Sequence, residues 1–259
     1  MGLFDKLFKK NKDTEEMKNA AQEAAQKPEA AKATQDTAAD EVQDIAEEAP
    51  QPAEEEEASA PGWDAITEAF EGLYPGQTNP KHYGVLVKWI FGGNDPLDGI
   101  SIYDGGDYWH FVTYGLSEIY EKETDNPEIS GYGMEFTLKL KKAGLEDEEA
   151  EIRGICGILQ TIARMTFNSG ELFLPMEYLY TGQTSGMDVR QKSALTGFIT
   201  VPETKLAGID TPNGKVLFVE FIGMTDAELL CIKNKECTVE DMYKKLGHDL
   251  TDYTRASII

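Results

Sequence analysis

The sequence predicts an α+β domain on a mixed, mainly antiparallel sheet with flanking helices, preceded by an acidic tail that stays unfolded. Three observations carry this. Apolar/polar alternation recurs in short runs joined by Gly- and Asp-rich turns, which read as hairpins. Two stretches repeat apolar residues at helical spacing. Strands and helices follow no βαβα rhythm, so a doubly wound parallel sheet is excluded.

Of the 259 residues, the first 60 hold 14 Ala, 11 Glu and 5 Gln, with Phe4 and Phe8 as their aromatics. Such a stretch cannot bury enough apolar surface to offset an ordering entropy of ~1–2 kcal/mol per residue. Within it, residues 1–12 form a short basic amphipathic segment. Leu3, Phe4, Leu7 and Phe8 share one side at helical spacing, with Lys6, Lys9, Lys10 and Lys12 around them. Such a segment suits weak peripheral contact with an anionic membrane, and a frayed terminus is the plainer reading. Lys6 stands where a myristoylation signal wants Ser or Thr. Residues 13–60, with Pro28, Pro50, Pro52 and four consecutive glutamates from Glu54, read as a self-repelling linker. The folded domain is expected over 61–259.

From Pro61 the apolar residues Trp63, Ile66, Ala69, Phe70 and Leu73 predict a helix, stopped by Tyr74-Pro75-Gly76. Tyr83, Val85, Val87, Trp89 and Phe91 alternate with mostly apolar neighbours and predict a strand covered on both faces, broken at Gly92-Gly93-Asn94-Asp95-Pro96. Strands follow at Gly99 to Tyr103 and Tyr108 to Tyr114, joined through Asp104-Gly105-Gly106-Asp107. Met134, Phe136, Leu138 and Leu140 alternate with Glu135, Thr137, Lys139 and Lys141, which predicts a strand with one wet face. The longest helix runs from Asp147 to about Phe167, with Ile152, Ile155, Cys156, Leu159, Ile162, Ala163 and Thr166 as its buried stripe. Two more strands, near Phe198 and from Lys215 to Phe221, flank a Thr211-Pro212-Asn213-Gly214 turn. Thr225 and Thr238 then cap two short helices.

Charge and composition narrow the function. Over 61–259 there are 17 basic against 31 acidic residues, a net of −14. Nucleic-acid affinity comes largely from cations that displace phosphate counterions, so DNA and RNA are poor partners and a basic protein is a better one. Cys156, Cys231 and Cys237 are too few for a disulfide framework, which points to a reducing compartment. Cys231 reads as a thiol buried in a helix. No run is long and apolar enough to span a membrane, no signal peptide is recognisable, and the expected address is the cytoplasm.

Catalytic signatures are sparse. Gly131-Tyr132-Gly133-Met134-Glu135-Phe136 lacks the third glycine of a dinucleotide loop and reads as a turn. The five residues between Cys231 and Cys237 do not match a zinc spacing. No metal or other cofactor is expected. His82 and His248 sit beside loops in this reading, and His110 lies mid-strand, more often a structural position than a base. Asp95 and Asp98 could pair as acid and base, although their setting favours side chains that fix the turn. An enzyme using His110 with Asp95 or Asp98 is thus the weakest alternative.

Several segments together resemble the suppressor of fused family. They are Pro61-Gly62-Trp63-x-Ala65-Ile66, Tyr74-Pro75-Gly76-Gln77-x-Asn79-Pro80, Val87-Lys88, Gly92-Gly93-x-Asp95-Pro96-Leu97-Asp98, Trp109-His110-x-x-x-Tyr114-Gly115-Leu116-Ser117-Glu118-Ile119-Tyr120 and Gly131-x-Gly133-x-Glu135. Fainter likeness in Ala163-Arg164-x-x-Phe167 and Thr211-Pro212-x-Gly214 extends the cover to nearly all of 61–259. The resemblance implies a fold like the N-terminal domain of that family and a protein-binding module without catalysis. Animal members bind Gli transcription factors and restrain Hedgehog signalling, holding an extended peptide between this domain and a second one. On that pattern half of the clamp is missing here. Met165 stands where the family has a peptide-holding tyrosine, and Glu177 corresponds to an acidic residue further on. Stand-alone members resemble bacterial immunity proteins of polymorphic toxin systems, an expectation that an acidic inhibitor of a basic toxin would suit. The candidate contact surface takes in Trp89, Asp95, Asp98, Trp109, His110, Tyr114, Glu118, Met165 and Glu177, with Trp89, Trp109 and Tyr114 as exposed aromatics unless they pack into the core. A membrane-tethered adaptor, docked through residues 1–12, is a further alternative.

Overall fold

The computed structural model describes residues 59–87, 89 and 92–259, so the expectations for residues 1–12 and 13–58 lie outside it. In chain order its elements are α1 (Pro61–Leu73), β1 (Lys81–Gly84), β2 (Gly99–Asp104), β3 (Tyr108–Tyr114), β4 (Ile129–Lys141), α2 (Glu148–Ser169), β5 (Tyr178–Leu179), β6 (Leu195–Pro202), β7 (Gly208–Thr211), β8 (Gly214–Thr225), α3 (Asp226–Lys233) and α4 (Val239–Leu246). The strands form one sheet in the order β1-β2-β3-β4-β8-β6-β5, and β7 pairs with β8 off this path. The β4–β8 pair is parallel and the other pairs are antiparallel, the mixed and mainly antiparallel sheet that the turn pattern predicts. Beyond Leu138 and Phe221 the parallel pairing gives way to Thr251. Its backbone bonds Lys139 and Lys141, and its hydroxyl takes the Gly223 N–H.

Side chains alternate across a strand, so each strand serves two cores. One face carries Phe111, Phe136, Leu138, Phe198, Val219 and Phe221 and is covered by α2. The predicted stripe of α2 is buried along its whole length, with Asp147 capping its start and Gly170, in the left-handed region, ending it. The opposite face is divided. At one end Tyr103, Val112, Tyr114 and Phe218 pack under Ile66 and Phe70 of α1. At the other, Ile199, Val201, Ile222 and Met224 pack under α3 and α4. Both short helices open with capping boxes, Thr225 with Glu228 and Thr238 with Asp241.

Four expectations need correction. The strand predicted over Tyr83 to Phe91 stops at Gly84, and Leu86 and Val87 are exposed beyond it; residues 88, 90 and 91 lie outside the described residues. Alternation suggested a strand, but no second neighbour covers this edge of the sheet. Strand β4 has no wet face, because Glu135, Thr137 and Lys139 are buried, Glu135 and Lys139 being satisfied by partners distant in sequence. Residues Gly131 and Gly133 lie inside β4, where the pairing with β8 shifts register, and not in a free turn. Cys231 is half-buried at the end of α3 and paired with Cys237 in a disulfide, their Cα atoms 5.7 Å apart. In addition His82 lies within β1, sharing a hydrogen bond with Ser101 at 3.1 Å.

Candidate partner-binding site

The Tyr114 to Tyr120 stretch leaves β3 and would unravel without an anchor. Glu135 supplies it. One of its oxygens accepts from the N–H groups of Gly115, Leu116 and Ser117 and from the Ser117 hydroxyl at 2.7–3.1 Å, and the other accepts from Thr113 at 2.6 Å. Burial pushes the Glu135 carboxyl up to about 7, against the pull of these donors. Glycine is required twice. Gly115 has φ +133°, and a Cβ there would lie 3.0 Å from the Asp98 nitrogen. Gly131 has φ +55°, and a Cβ there would lie 2.9 Å from the Leu116 oxygen.

Glu118 organises the next turn. It accepts from Lys122 and from the N–H groups of Glu123, Thr124 and Gly131. Burial raises this carboxyl, but Lys122 and the backbone donors outweigh it and hold it below its ordinary value. From across the domain Asn213, in the β7–β8 turn, donates to the carbonyls of Glu118 at 2.7 Å and Tyr120 at 3.3 Å. The 94–98 loop is fastened to α2. Gln160 bonds both backbone groups of Leu97, and Arg164 pairs with Asp95 at 2.5 Å.

These fastenings shape a cleft of about 260 Å³ lined by Trp89, Tyr132 and Phe167, together with Leu116 to Glu121, Glu123 and Thr124. The Phe167 ring meets Trp89 at 5.6 Å and Tyr132 at 5.3 Å between centroids, both edge-on. A cleft this size is small for a drug-sized ligand and suits one or two side chains of a partner. Its rim is acidic. Glu121 and Glu123 are exposed and have no cationic partner among the described residues. Beyond the Asp95–Arg164 pair lies a second groove of about 560 Å³, lined by Val85, Leu86, Val87, Gly93, Gly157 and Gln160 among others.

Of the predicted contact residues, Trp89, Asp98 and Glu118 meet at the cleft, together with Pro96, Gly115, Leu116, Ser117 and Gly131 of the motif. Asp95, with Gly92 and Gly93, lines the second groove instead. Met165 is exposed on α2 near Phe167, and Glu177 precedes β5, bonding the Leu174 N–H at 3.0 Å. Leu97 is core. Pro75 and Asn79 are exposed in the α1–β1 connection, with Pro80 half-buried. Three aromatic or histidine candidates do not reach this surface. Tyr114 is fully buried and stacks on Trp63 at 4.2 Å. Trp109 is half-buried under the ammonium groups of Lys81 and Lys142. His110 is fully buried. Tyr114 and His110 point inward because α1 covers their face, while Trp109 packs on the opposite, α2 side of the sheet. Tyr132 and Phe167, which complete the cleft, were missed as contacts, although both lie within the quoted motifs.

His110 belongs to a different assembly. Its Nδ1 shares a 2.7 Å hydrogen bond with the Tyr74 hydroxyl, and its Nε2 lies 3.6 Å from Glu203. Burial, reinforced by Lys139 and Lys205, holds it well below its ordinary value and therefore neutral. Glu203 in turn pairs with Lys139 at 2.5 Å, and Lys139 also meets Glu220 at 3.0 Å and Asp249 at 2.7 Å. Burial would lower Lys139, but the three carboxylates outweigh it and raise it. Burial lifts Glu220 well above its usual range despite Lys139. This seam fills the gap between the α1 cluster and the α3–α4 cluster. Asp95 lies on the α2 side of the sheet, paired to Arg164, so His110 and Asp95 do not converge.

The comparisons agree with the architecture. A family model described as Suppressor of fused protein (SUFU) matches residues 93–256. Human and mouse proteins named Suppressor of fused homolog are each 30% identical over 183 residues, which is 65% of this chain and 36% of theirs. The chain thus spans about a third of the length of the curated relatives it matches. The crystal structure of Drosophila Suppressor of Fused superposes with a TM-score of 0.66 at 26% identity, covering 77% of this chain and 52% of that one. A chain from the Sufu–Fu complex gives the same score and identity and is covered over 93% of its length. A SUFU homologue from Neisseria gonorrhoeae shares the fold with a TM-score of 0.54 at 16% identity, over 76% of this chain and 97% of that one.

Proposed function

The chain belongs to the suppressor of fused family, and from that premise we propose that it is a non-enzymatic binding domain whose partner is a basic protein, with a toxin neutralised by an immunity protein as the specific case. The observation that carries this reading is the cleft itself. Motif residues that are distant in sequence are fastened by Glu135, Glu118 and Asn213 around an aromatic wall with an acidic rim. Aromatic anchors inside an anionic rim are what a basic polypeptide with an apolar side chain would recognise. A protein partner is also consistent with the relative solved as a Sufu–Fu complex. Against catalysis stands the burial of His110, whose neighbours Tyr74 and Glu203 are buried with it.

The test is capture of a basic polypeptide by the full chain at low salt, with release as ionic strength rises and Glu121→Lys/Glu123→Lys as the control bait. Salt-insensitive capture would remove the electrostatic part, and turnover of any small molecule lost in His110→Gln would remove the whole reading. A membrane-tethered adaptor is the second reading, supported by the basic amphipathic pattern of residues 1–12. Among the described residues no helix is long and apolar enough to cross a membrane.

A further inference from the structure

Two features meet at the cleft, and a third lies elsewhere in the sequence. The described chain begins beside it: the N–H groups of Gly62 and Trp63, at the start of α1, both donate to the carbonyl of Ile119, a cleft residue, at 3.1 Å. The opening is aromatic inside and acidic outside, with Trp89, Tyr132 and Phe167 as wall and Glu121 and Glu123 as rim. The complementary pattern occurs once more in the same sequence. Residues 1–12 carry Leu3, Phe4, Leu7 and Phe8 among four lysines and one aspartate.

We propose that residues 1–12 of this chain dock into the cleft in cis, Phe4 or Phe8 against Trp89, Tyr132 and Phe167 and the lysines on Glu121 and Glu123, so that an outside partner must displace them. The reach is sufficient. Roughly 50 residues separate Phe8 from Ser59, which as a random coil span about 40 Å between ends, ample for a tether rooted on the cleft's own edge. Tethering of this kind gives an effective concentration on the order of 1 mM, so an intrinsic dissociation constant of about 0.1 mM suffices for roughly tenfold more occupied than empty cleft. A partner that binds only the empty cleft would then bind about tenfold more weakly than its intrinsic affinity. Charge favours the same contact: a segment of net charge +3 faces a domain of net charge −14. The inference goes beyond the proposed function, since it concerns what fills the cleft before any partner arrives.

The experiment uses the full chain. Benzoylphenylalanine replaces Phe4, the dilute protein is irradiated, and cross-linked peptides are mapped by mass spectrometry. The expected result is a link within one molecule to Trp89, Tyr132 or Phe167, with a yield that falls severalfold between about 50 mM and about 500 mM salt. In parallel, Phe4→Ser/Phe8→Ser should shift the backbone amide resonances of Ser117, Glu118 and Gly131. The altered residues lie outside the domain, so its folding is not at stake. Links elsewhere, links between labelled and unlabelled copies, or unchanged resonances would each overturn the proposal. So would vesicles of phosphatidylcholine and phosphatidylserine capturing the protein while the cleft link never forms in their absence. Capture of a basic partner without the link leaves the proposed function standing and removes this one; the link without any partner does the reverse.

Discussion

Two groups of acidic side chains in this domain face opposite situations. In the seam on the divided face of the sheet, Glu203, Glu220 and Asp249 close on a single buried ammonium, Lys139. At the cleft, Glu118 is neutralised by Lys122 and backbone donors, while Glu121 and Glu123 stand in water without a cation among the described residues. The first group has its attraction satisfied inside the molecule and serves to join two apolar clusters. The second projects an unsatisfied field outwards. A count of acidic residues treats them alike, yet only the second can steer a partner.

The contrast can be broken from either side. Lys139→Met should have the largest effect, destabilising by about 3–5 kcal/mol in denaturant unfolding, because it strands buried carboxylates without a counter-charge. Glu135→Gln comes next, at about 1–3 kcal/mol, since it weakens the acceptor that gathers the 115–117 amides. This variant also carries a pH signature. Glu135 has a folded value raised to about 7. Between its ordinary value near 4.5 and about 7 the folded state therefore holds a proton that the unfolded chain has lost, and native stability falls as pH rises through that window. Denaturant midpoints measured across it should show a shallower decline for Glu135→Gln than for the native chain. Glu121→Lys/Glu123→Lys should have the smallest effect on stability, within about 0.5 kcal/mol. It should nonetheless flatten the salt dependence of partner binding, and a large loss of stability would mean that the rim carries structure as well as charge.

Much of the scaffold was legible because its signals are local. The α2 stripe, the Asp104–Asp107 turn and the Thr225 and Thr238 caps depend on residues within a few positions of one another. The errors fall where a distant partner decides the outcome. Lys139 looked wet because Glu203, Glu220 and Asp249 are 64 or more positions away. The stretch after Gly84 looked like a strand because alternation registers apolar content and not the presence of a neighbouring strand. At the cleft, family motifs marked Asp98, Glu118 and the Gly115–Ser117 turn, and Trp89 stood out as a candidate exposed aromatic. The same motifs also marked His110 and Tyr114, and the α1 layer that hides these two could not be read from strand pattern alone. Tyr132 fell at an unmatched position of its motif and Phe167 in a fainter one, so nothing separated them from core aromatics.

The two hydrogen bonds from Asn213 reach further than their length suggests. They join the loop beside the cleft to the hairpin that starts β8, the strand shared by all three apolar clusters. Amide hydrogens near residues 118–120 should therefore exchange with solvent on the slow clock of the sheet centre and not on the fast one of a fraying loop. A recognition surface built this way is ready-made before encounter, and association loses little free energy in organising it.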